Sequence, residues 1–179
     1  MLRIIAGKYR HLIIEAPNVN STRPTTDKVR EALMSALGSF IVDAVVLDLF
    51  AGSGSLGIEA LSRGAKKAYF CDNNFIAYQT IKKNIERIKV QEETIVLKLS
   101  YLEALKQINE KIDIVFLDPP YAKEETYQKA VDFLFENDLL SDNAIIVKEW
   151  NQKIPFDNRF QFHKEYNYGT INILIERRS

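Results

Sequence analysis

Cysteine is almost absent from this chain of 179 residues, in which Cys71 is the only one. A single cysteine excludes an intrachain disulfide and is typical of a protein in a reducing compartment, so we expect a cytoplasmic location. Histidine is nearly as scarce. His11 and His163 each stand alone in an alternating strand pattern, so we expect no bound metal ion.

Long uncharged hydrophobic runs are also missing. The longest apolar stretches, such as Ala144–Val147, are far shorter than the roughly 18 residues that a membrane-spanning helix requires. Charges at Arg3 and Lys8 interrupt the first apolar residues, so we expect neither a signal peptide nor a membrane partner. With 46% hydrophobic and 27% charged residues, the composition is that of a globular chain, and its length predicts one domain over residues 1–179.

Net charge is absent too, because 24 Lys and Arg residues balance 24 Asp and Glu residues. A neutral chain, taken as a whole, argues against a general nucleic-acid-binding protein. The distribution is uneven, however. Residues 1–30 contain six basic and two acidic residues, a net charge of +4, and the rest of the chain carries −4. Such a basic segment on an acidic body is typical of a surface that binds a polyanion.

The first 43 residues predict an extension that precedes the main fold. Alternating apolar residues indicate a β-hairpin with strands at Arg3–Ala6 and Arg10–Ile14, joined by a turn at Gly7. The basic residues of this hairpin alternate with apolar ones and should form an outward face for RNA phosphates.

A helix should follow the hairpin, capped by Thr25 or Thr26. Its apolar stripe, from Val29 to Phe40, has helical spacing and is expected in the core. This arrangement leaves Arg30 toward solvent or a ligand, and we add it with Arg23 to the predicted RNA-phosphate surface.

Residues 44–179 alternate apolar runs with amphipathic helices. Strands are expected at Val45–Phe50, Lys67–Asp72, Thr94–Leu97, Asp113–Leu117 and Ala144–Glu149, with helices at 55–63, 74–88, 101–109 and 124–136. This order predicts an α/β fold of βαβ units, with a mostly parallel sheet that binds ligands at the carboxyl ends of its strands. Two further strands, at about Phe160–Tyr166 and Thr170–Glu176, should be antiparallel because their connection is short.

A glycine-rich loop follows the first of these strands, with Gly52, Gly54 and Gly57 in a G-x-G-x-x-G pattern. Glycines allow a sharp turn from strand to helix and a close approach to a cofactor, although a tight turn without a ligand would share the pattern. Asp72, at the end of the next strand, can accept hydrogen bonds from ribose hydroxyls. Asp48 would repel a pyrophosphate and suits an ammonium or a sulfonium, which favours S-adenosylmethionine over a dinucleotide.

A second motif, Asp118-Pro119-Pro120-Tyr121, follows the fourth parallel strand on the same edge of the sheet. The two prolines restrict the backbone where the chain leaves the strand, and they have no N–H donors. Asp118 and the Pro119 carbonyl can accept both hydrogens of an exocyclic base amine, and Tyr121 offers a ring for base stacking. Two acceptors can turn the amine lone pair toward a methyl donor, so the motif indicates in-line methyl transfer. The alternative is a strand end with a surface tyrosine.

Phe50–Gly54 and Val115–Tyr121 resemble the class I S-adenosylmethionine methyltransferases that act on exocyclic base amines. The N-terminal blocks Arg3–Arg10 and Arg23–Leu33 are similar to those of the RsmD-type bacterial 16S rRNA guanine-N2 methyltransferases. This resemblance implies a Rossmann-like fold with a mostly parallel seven-stranded sheet and an antiparallel C-terminal hairpin strand. The N-terminal hairpin and helix (1–43) would bind RNA, and residues 44–179 would form the catalytic core.

The resemblance also implies a reaction and a set of site residues. A monomer would methylate the N2 amine of a guanine of the position 966 type in 16S rRNA, with the small ribosomal subunit or its precursor as partner. The residues implied in catalysis are Asp118, Pro119, Pro120 and Tyr121. The residues implied in S-adenosylmethionine binding are Asp48, Phe50, Ala51, Gly52, Ser53, Gly54, Asp72, Asn73, Ser100 and Tyr101. Substrate binding would involve Arg3, Lys8, Arg10, Arg23, Thr25, Arg30 and Tyr121.

Three other functions remain open from the sequence. The same motifs fit an adenine-N6 methyltransferase acting on DNA or RNA, although the chain has no spare length for a separate target-reading domain. The glycine loop alone fits a nicotinamide-dependent oxidoreductase. The basic N-terminal segment alone fits a non-catalytic RNA-binding protein.

Overall fold

The computed structural model describes residues 1–18 and 25–179, which form two sheets and five α-helices. The strands are β1 (Leu2–Arg3), β2 (Ile13–Ile14), β3 (Val45–Asp48), β4 (Lys67–Cys71), β5 (Thr94–Leu97), β6 (Ile112–Leu117), β7 (Leu140–Trp150), β8 (Phe162–Tyr168) and β9 (Ile171–Arg177). The helices are α1 (Asp27–Leu37), α2 (Ser55–Ser62), α3 (Phe75–Ile88), α4 (Tyr101–Lys106) and α5 (Glu124–Glu136), with short 3-10 helices at Gly38–Ile41 and Gln91–Glu93.

The larger sheet has seven strands in the order β5-β4-β3-β6-β7-β9-β8. Strands β3 to β7 run parallel, as βαβ connections require, whereas β9 lies antiparallel between β7 and β8. This is the Rossmann-like arrangement that the sequence predicted, including the antiparallel pair formed by the final strands. The tight turn between β8 and β9 contains Gly169, whose φ of 61° lies in the left-handed region.

Helices cover both faces of this sheet and form two apolar layers. Strand β3 is buried along its whole length, with Val46 facing α1, α2 and α3 and Leu47 facing α4 and α5. Ile4 and Ile14 of the extension are each 1% exposed and join the first layer. Burying an isoleucine side chain contributes roughly 1.5–3 kcal/mol, so the extension packs against the sheet with substantial apolar stabilisation. Within residues 1–18 and 25–179, no helix has the length and hydrophobicity needed to cross a membrane.

Most element boundaries agree with the sequence prediction, and β5 and α5 match it at both ends. Strand β7 is longer than predicted, because it begins at Leu140, which pairs with Ile112 of β6 beside an irregularity in register. The polar residues Ser141–Asn143 interrupt the apolar pattern, so the prediction began only at Ala144. Helix α4 ends at Lys106, about one turn earlier than expected.

The N-terminal hairpin is present, but its ladder is only two residues long on each side. Beyond this ladder the Ile4 amide donates to the Leu12 carbonyl and the His11 amide donates to the Ile4 carbonyl, both at 2.9 Å, and further into the turn the backbone bonds to α2. The amides of Ile5 and Ala6 donate to the two carboxylate oxygens of Glu59 at 2.9 and 3.0 Å, and the amide of Tyr9 donates to the Ser62 hydroxyl at 3.0 Å. The predicted strands are therefore shortened by partners that lie some fifty residues away in the chain.

The prediction that Arg30 faces solvent or a ligand is wrong, because its side chain is 1% exposed. Its Nη2 atom donates to the Arg3 carbonyl at 2.5 Å and to the Asp27 carboxylate at 3.0 Å. Its Nε atom lies 3.8 Å from Glu59, which is also 1% exposed. Arg30 thus joins α1, β1 and α2 and cannot contact an RNA phosphate. Thr26, one of the two predicted caps, is the N-cap residue of α1.

Replacing Glu59 should destabilise the protein strongly. Glu59→Ala leaves two backbone amides without acceptors and Arg30 without one partner, and breaking a buried ion pair costs about 3–5 kcal/mol. Urea denaturation gives the free energy of unfolding. Glu92→Ala, which changes an exposed glutamate, should stay within about 0.5 kcal/mol of the parent protein. Equal stabilities of the two variants would contradict the role of Glu59.

Candidate methyl-transfer site

Four acidic residues lie at the carboxyl ends of four adjacent strands. Asp48 ends β3, Asp72 and Asp118 directly follow β4 and β6, and Glu149 is the last residue but one of β7. Asp48 is paired with Phe116 of β6, so Asp118, two residues further, points to the same face of the sheet. The predicted cofactor and catalytic motifs therefore meet at one edge, on the side of α1, α2 and α3.

The glycine-rich loop turns sharply between β3 and α2. Gly52 and Gly54 have φ values of 57° and 78°, in the left-handed region, and Gly54 is the N-cap residue of α2. The Gly52 amide donates to the Asp72 carboxylate at 2.9 Å, and the Ala51 amide donates to the Cys71 carbonyl at 2.8 Å. The loop is thus attached to the end of β4, where the predicted ribose-binding acid stands.

The glycines of this loop serve different purposes. A Cβ atom at Gly57 would lie 2.4 Å from the Phe70 ring, so that glycine allows α2 to pack closely on β4. A Cβ atom at Gly52 would meet no atom within 4 Å. The space beside Gly52 is open, and a cofactor can approach the backbone there.

Asp48 is a buried acid at the base of the loop. It is 2% exposed, and its Oδ2 atom accepts a hydrogen bond from the Gly57 amide at 3.3 Å. Burial raises the pKa of the Asp48 carboxyl to about 7, and the nearby Asp72 charge acts in the same direction. A positively charged ligand group would relieve this cost by favouring the ionised form.

The Asp118-Pro119-Pro120-Tyr121 motif leaves β6 at the same edge. Pro119 is buried and Pro120 is exposed, whereas the Tyr121 side chain is 74% exposed and free to stack on a base. Burial raises the pKa of Asp118 well above its ordinary value, and the charges of Glu149 and Asp48 add to that effect. The edge therefore combines a desolvated carboxyl with an exposed aromatic ring.

The predicted adenine side lies at the ends of β4 and β5. The Phe50 and Tyr101 rings are 5.4 Å apart at their centroids, and Asn73 is exposed beside Asp72. Ser100 forms a capping box with Glu103 at the start of α4, so its hydroxyl already has a structural partner. Because β4 and β5 lie on the other side of β3 from β6, this end of the sheet edge is away from Asp118.

The predicted substrate-binding residues divide into two groups. Arg3, Lys8 and Arg10 are exposed on the extension and form what we call the basic face. Arg23 lies outside the described residues. Thr25 is only 7% exposed, and its hydroxyl donates to Glu149 at 3.2 Å. It therefore acts on the site through Glu149.

Sequence reasoning missed two residues of this site. Glu149 is an acid at the end of a predicted strand next to the one that ends at Asp118, and that position was a usable signal. Asn84 of α3 is fully buried, and its side-chain amide donates to the Ser53 carbonyl at 2.9 Å. The same side chain bonds the backbone of Glu15 in both directions, at 2.7 and 2.9 Å. Asn84 thus joins the glycine loop to the extension, and no local pattern indicates this contact.

Comparison with known proteins identifies the family. The family model described as "Conserved hypothetical protein 95" matches residues 2–177. The Haemophilus influenzae protein named Ribosomal RNA small subunit methyltransferase D is 40% identical over 157 residues, which cover 86% of this chain and 81% of that protein. The chain belongs to the RsmD family of methyltransferases.

Solved structures agree with membership in the RsmD family. The Escherichia coli protein YhhF superposes with a TM-score of 0.87 at 32% identity, over 99% of this chain and 98% of that one. An RNA methyltransferase from Salinibacter ruber, solved with S-adenosyl-L-homocysteine, has a TM-score of 0.66 at 19% identity, over 87% and 93% of the two chains. The second likeness shows the fold alone.

Asp48→Asn should stabilise this RsmD-family protein at pH 8. Between about pH 4 and 7 the folded protein keeps a proton on Asp48 that the unfolded chain has lost, so the free energy of unfolding falls as pH rises through this range. Each tenfold change in proton affinity corresponds to about 1.4 kcal/mol, so the substitution should raise the free energy of unfolding at pH 8 by up to roughly 4 kcal/mol.

Urea denaturation of Asp48→Asn at pH 4 and pH 8 tests this expectation, with little gain at the lower pH. Asp142→Asn removes an exposed carboxylate from β7 and is the matched control. An Asp48→Asn variant whose stability varied with pH as the parent protein does would refute the assignment of the raised pKa.

Proposed function

We propose that this RsmD-family protein transfers a methyl group from S-adenosylmethionine to the N2 amine of a guanine in 16S rRNA. The observation that carries the proposal is the position of Asp118 and Pro119, next to the open glycine loop on the same edge of the sheet. The relative from Haemophilus influenzae is named for methylation of small-subunit ribosomal RNA, which supports the substrate class.

The residues present fit S-adenosylmethionine. Asp48 and the loop from Ala51 to Gly54 would hold the methionine part, because a buried carboxylate attracts its ammonium or sulfonium and Gly52 leaves space for it. Each oxygen of Asp72 accepts one backbone amide and has a further lone pair for a ribose hydroxyl. Phe50 and Tyr101 would lie on the adenine side.

The chemistry requires an amine whose lone pair is turned out of conjugation with the base. When bound, S-adenosylmethionine would supply the methyl group: its bond to sulfur would break as the bond to N2 formed, and sulfur would keep the bonding electrons. Asp118 and the Pro119 carbonyl would accept the two amine hydrogens and so direct the lone pair. The Asp118 carboxylate would stabilise the positive charge that develops on nitrogen before the methylated amine releases one proton to water.

Binding of the RNA would use an exposed ring and exposed charges. Tyr121 would stack on the target guanine once that base has left its neighbours, which is less costly in a loop than in a duplex. The basic face of Arg3, Lys8 and Arg10 would bind phosphates, and the small ribosomal subunit or its precursor would supply the structured RNA.

The direct test is transfer of a labelled methyl group to small subunits from a strain that lacks the modification. Mass mapping of digested 16S rRNA should find one N2-methylguanosine, at position 966 if the family resemblance extends to the target nucleotide. Label in adenosine instead would favour the adenine-N6 alternative. Absence of transfer, together with binding of NAD rather than S-adenosylmethionine, would favour an oxidoreductase.

Asp118→Ala should lower the rate of methyl transfer strongly while cofactor binding stays nearly intact, because Asp118 would contact the amine and not the cofactor. Loss of a positioned charge-stabilising group lowers a rate by about 100- to 1000-fold. Labelled methyl transfer gives the rate, and calorimetric titration with S-adenosylmethionine gives the affinity. Asp142→Ala, on the exposed start of β7, is the control, and full activity of Asp118→Ala would exclude the mechanism.

Replacing Arg3, Lys8 and Arg10 together by Gln should weaken RNA binding in a salt-dependent way. Each lost phosphate contact should make the slope of log affinity against log salt concentration shallower by about 0.7, or about 2 in all. Filter binding of the rRNA between 50 and 200 mM salt measures the slope. Lys106→Gln, at the last turn of α4, should leave it unchanged. An unaltered slope in the triple variant would place the RNA on another surface.

A further inference from the structure

The carboxylate of Glu149 lies beside Asp118 at the same level of the sheet. Leu117 of β6 is paired with Lys148 of β7, so the next residues, Asp118 and Glu149, continue the two strands side by side. Alternation turns Lys148 to the other face, where it forms an ion pair with Glu176 at 2.6 Å. Glu149 is 9% exposed, and its charge contributes to the raised pKa of Asp118. The two carboxylates therefore meet at one corner of the site.

Two hydroxyl groups hold Glu149 in place. Thr25 donates to its carboxylate at 3.2 Å, and Tyr127 of α5 donates to its backbone carbonyl at 2.5 Å. These donors come from opposite faces of the sheet, since Thr25 precedes α1 and α5 packs on the other side.

In the part of the chain that the structure describes, no lysine or arginine forms an ion pair with the Glu149 carboxylate. Among the described residues, the hydrogen-bond partner of this buried carboxylate is a neutral hydroxyl, which offsets the cost of burial less than a cation does. Such a group, held by a neutral hydroxyl at the edge where ligands bind, is typical of a position that serves a ligand.

We propose that Glu149 determines specificity for guanine by accepting the N1–H hydrogen of the target base, while Asp118 and the Pro119 carbonyl accept the N2 amine. This inference rests on the proposed function, since it concerns the base that enters the same site. Guanine presents three hydrogen-bond donors side by side on N1 and N2. These donors favour the ionised forms of Asp118 and Glu149, in which this corner of the site offers only acceptors.

The same arrangement disfavours adenine. When the 6-amine of adenine faces Asp118, the neighbouring N1 atom presents a lone pair, which would oppose the lone pairs of the Glu149 carboxylate. A buried acceptor left without a donor costs more than the hydrogen bond itself contributes, so such a site can reject the wrong base by a large factor. Glu149 would thereby separate the guanine-N2 reaction from the adenine-N6 reaction.

A base analogue makes the inference testable. 2-Aminopurine keeps the 2-amine of guanine but has a lone pair on N1 in place of N1–H. Small subunits are reconstituted with rRNA that carries either guanine or 2-aminopurine at the mapped position, and kcat/KM for methyl transfer is measured on both. The parent protein should prefer guanine by at least about 100-fold.

Glu149→Gln should change this preference, because its amide can donate to N1 of 2-aminopurine. We expect a gain with 2-aminopurine and only a modest loss with guanine, whose N1–H the Gln carbonyl can still accept, so that the preference becomes less than about 10-fold. Calorimetric binding of S-adenosyl-L-homocysteine should match the parent protein, and the unfolding temperature should be at least as high, because the substitution removes a buried charge. Thr25→Val keeps the carboxylate and should lower the rate with guanine by about fivefold without changing the preference, and Glu165→Gln, on exposed β8, should change neither.

The outcomes separate this inference from the proposed function. If the parent protein methylates no guanine in the subunit, the proposed function fails. If it methylates guanine and Glu149→Gln keeps the full preference for guanine, the role of Glu149 is refuted while the proposed function stands. An equal loss of activity on both bases would also refute it, because such a loss indicates a structural role only.

Discussion

The parallel pairing of β3 with both β4 and β6 is the constraint on which the rest of the structure depends. Because these three parallel strands end at the same edge, the acids at their ends lie close together although they are far apart in the sequence. Crowding of buried carboxyls is unfavourable, as the raised pKa of Asp48 and of Asp118 indicates. The fold tolerates this loss of stability because apolar layers on both faces of the sheet stabilise it. The carboxyls lie at the ligand-binding edge, where a cationic ligand would reduce their repulsion.

The extension is held by polar groups that project from the central fold. Glu59 and Ser62 of α2 supply partners for backbone groups between β1 and β2, and Asn84 of α3 does the same for Glu15. Apolar packing alone would allow such a short segment to slide. Directional hydrogen bonds from buried side chains fix its register relative to α2 and the glycine loop.

Hydrophobic periodicity and turn residues were sufficient to predict the α/β order, the parallel sheet and the antiparallel final pair. Two motifs at strand ends were sufficient to predict which residues meet at the carboxyl edge. The errors have a common physical cause, because each depends on a partner distant in sequence. In the helical pattern of α1, Arg30 lies outside the apolar stripe, as a surface residue would. Its side chain is nevertheless buried, because it interacts with Glu59 and with the Arg3 carbonyl. Glu149 has no motif of its own, and its environment depends on Thr25 and Asp118.

The position of β9 has a consequence for synthesis of the protein. This strand lies between β7 and β8, and its Glu176 supplies the buried partner of Lys148. Until residues 171–177 have left the ribosome, β7 has an open edge and Lys148 lacks its counterion, and open edges of this kind promote aggregation. The corner that holds Glu149 is therefore completed only after β9 has been synthesised.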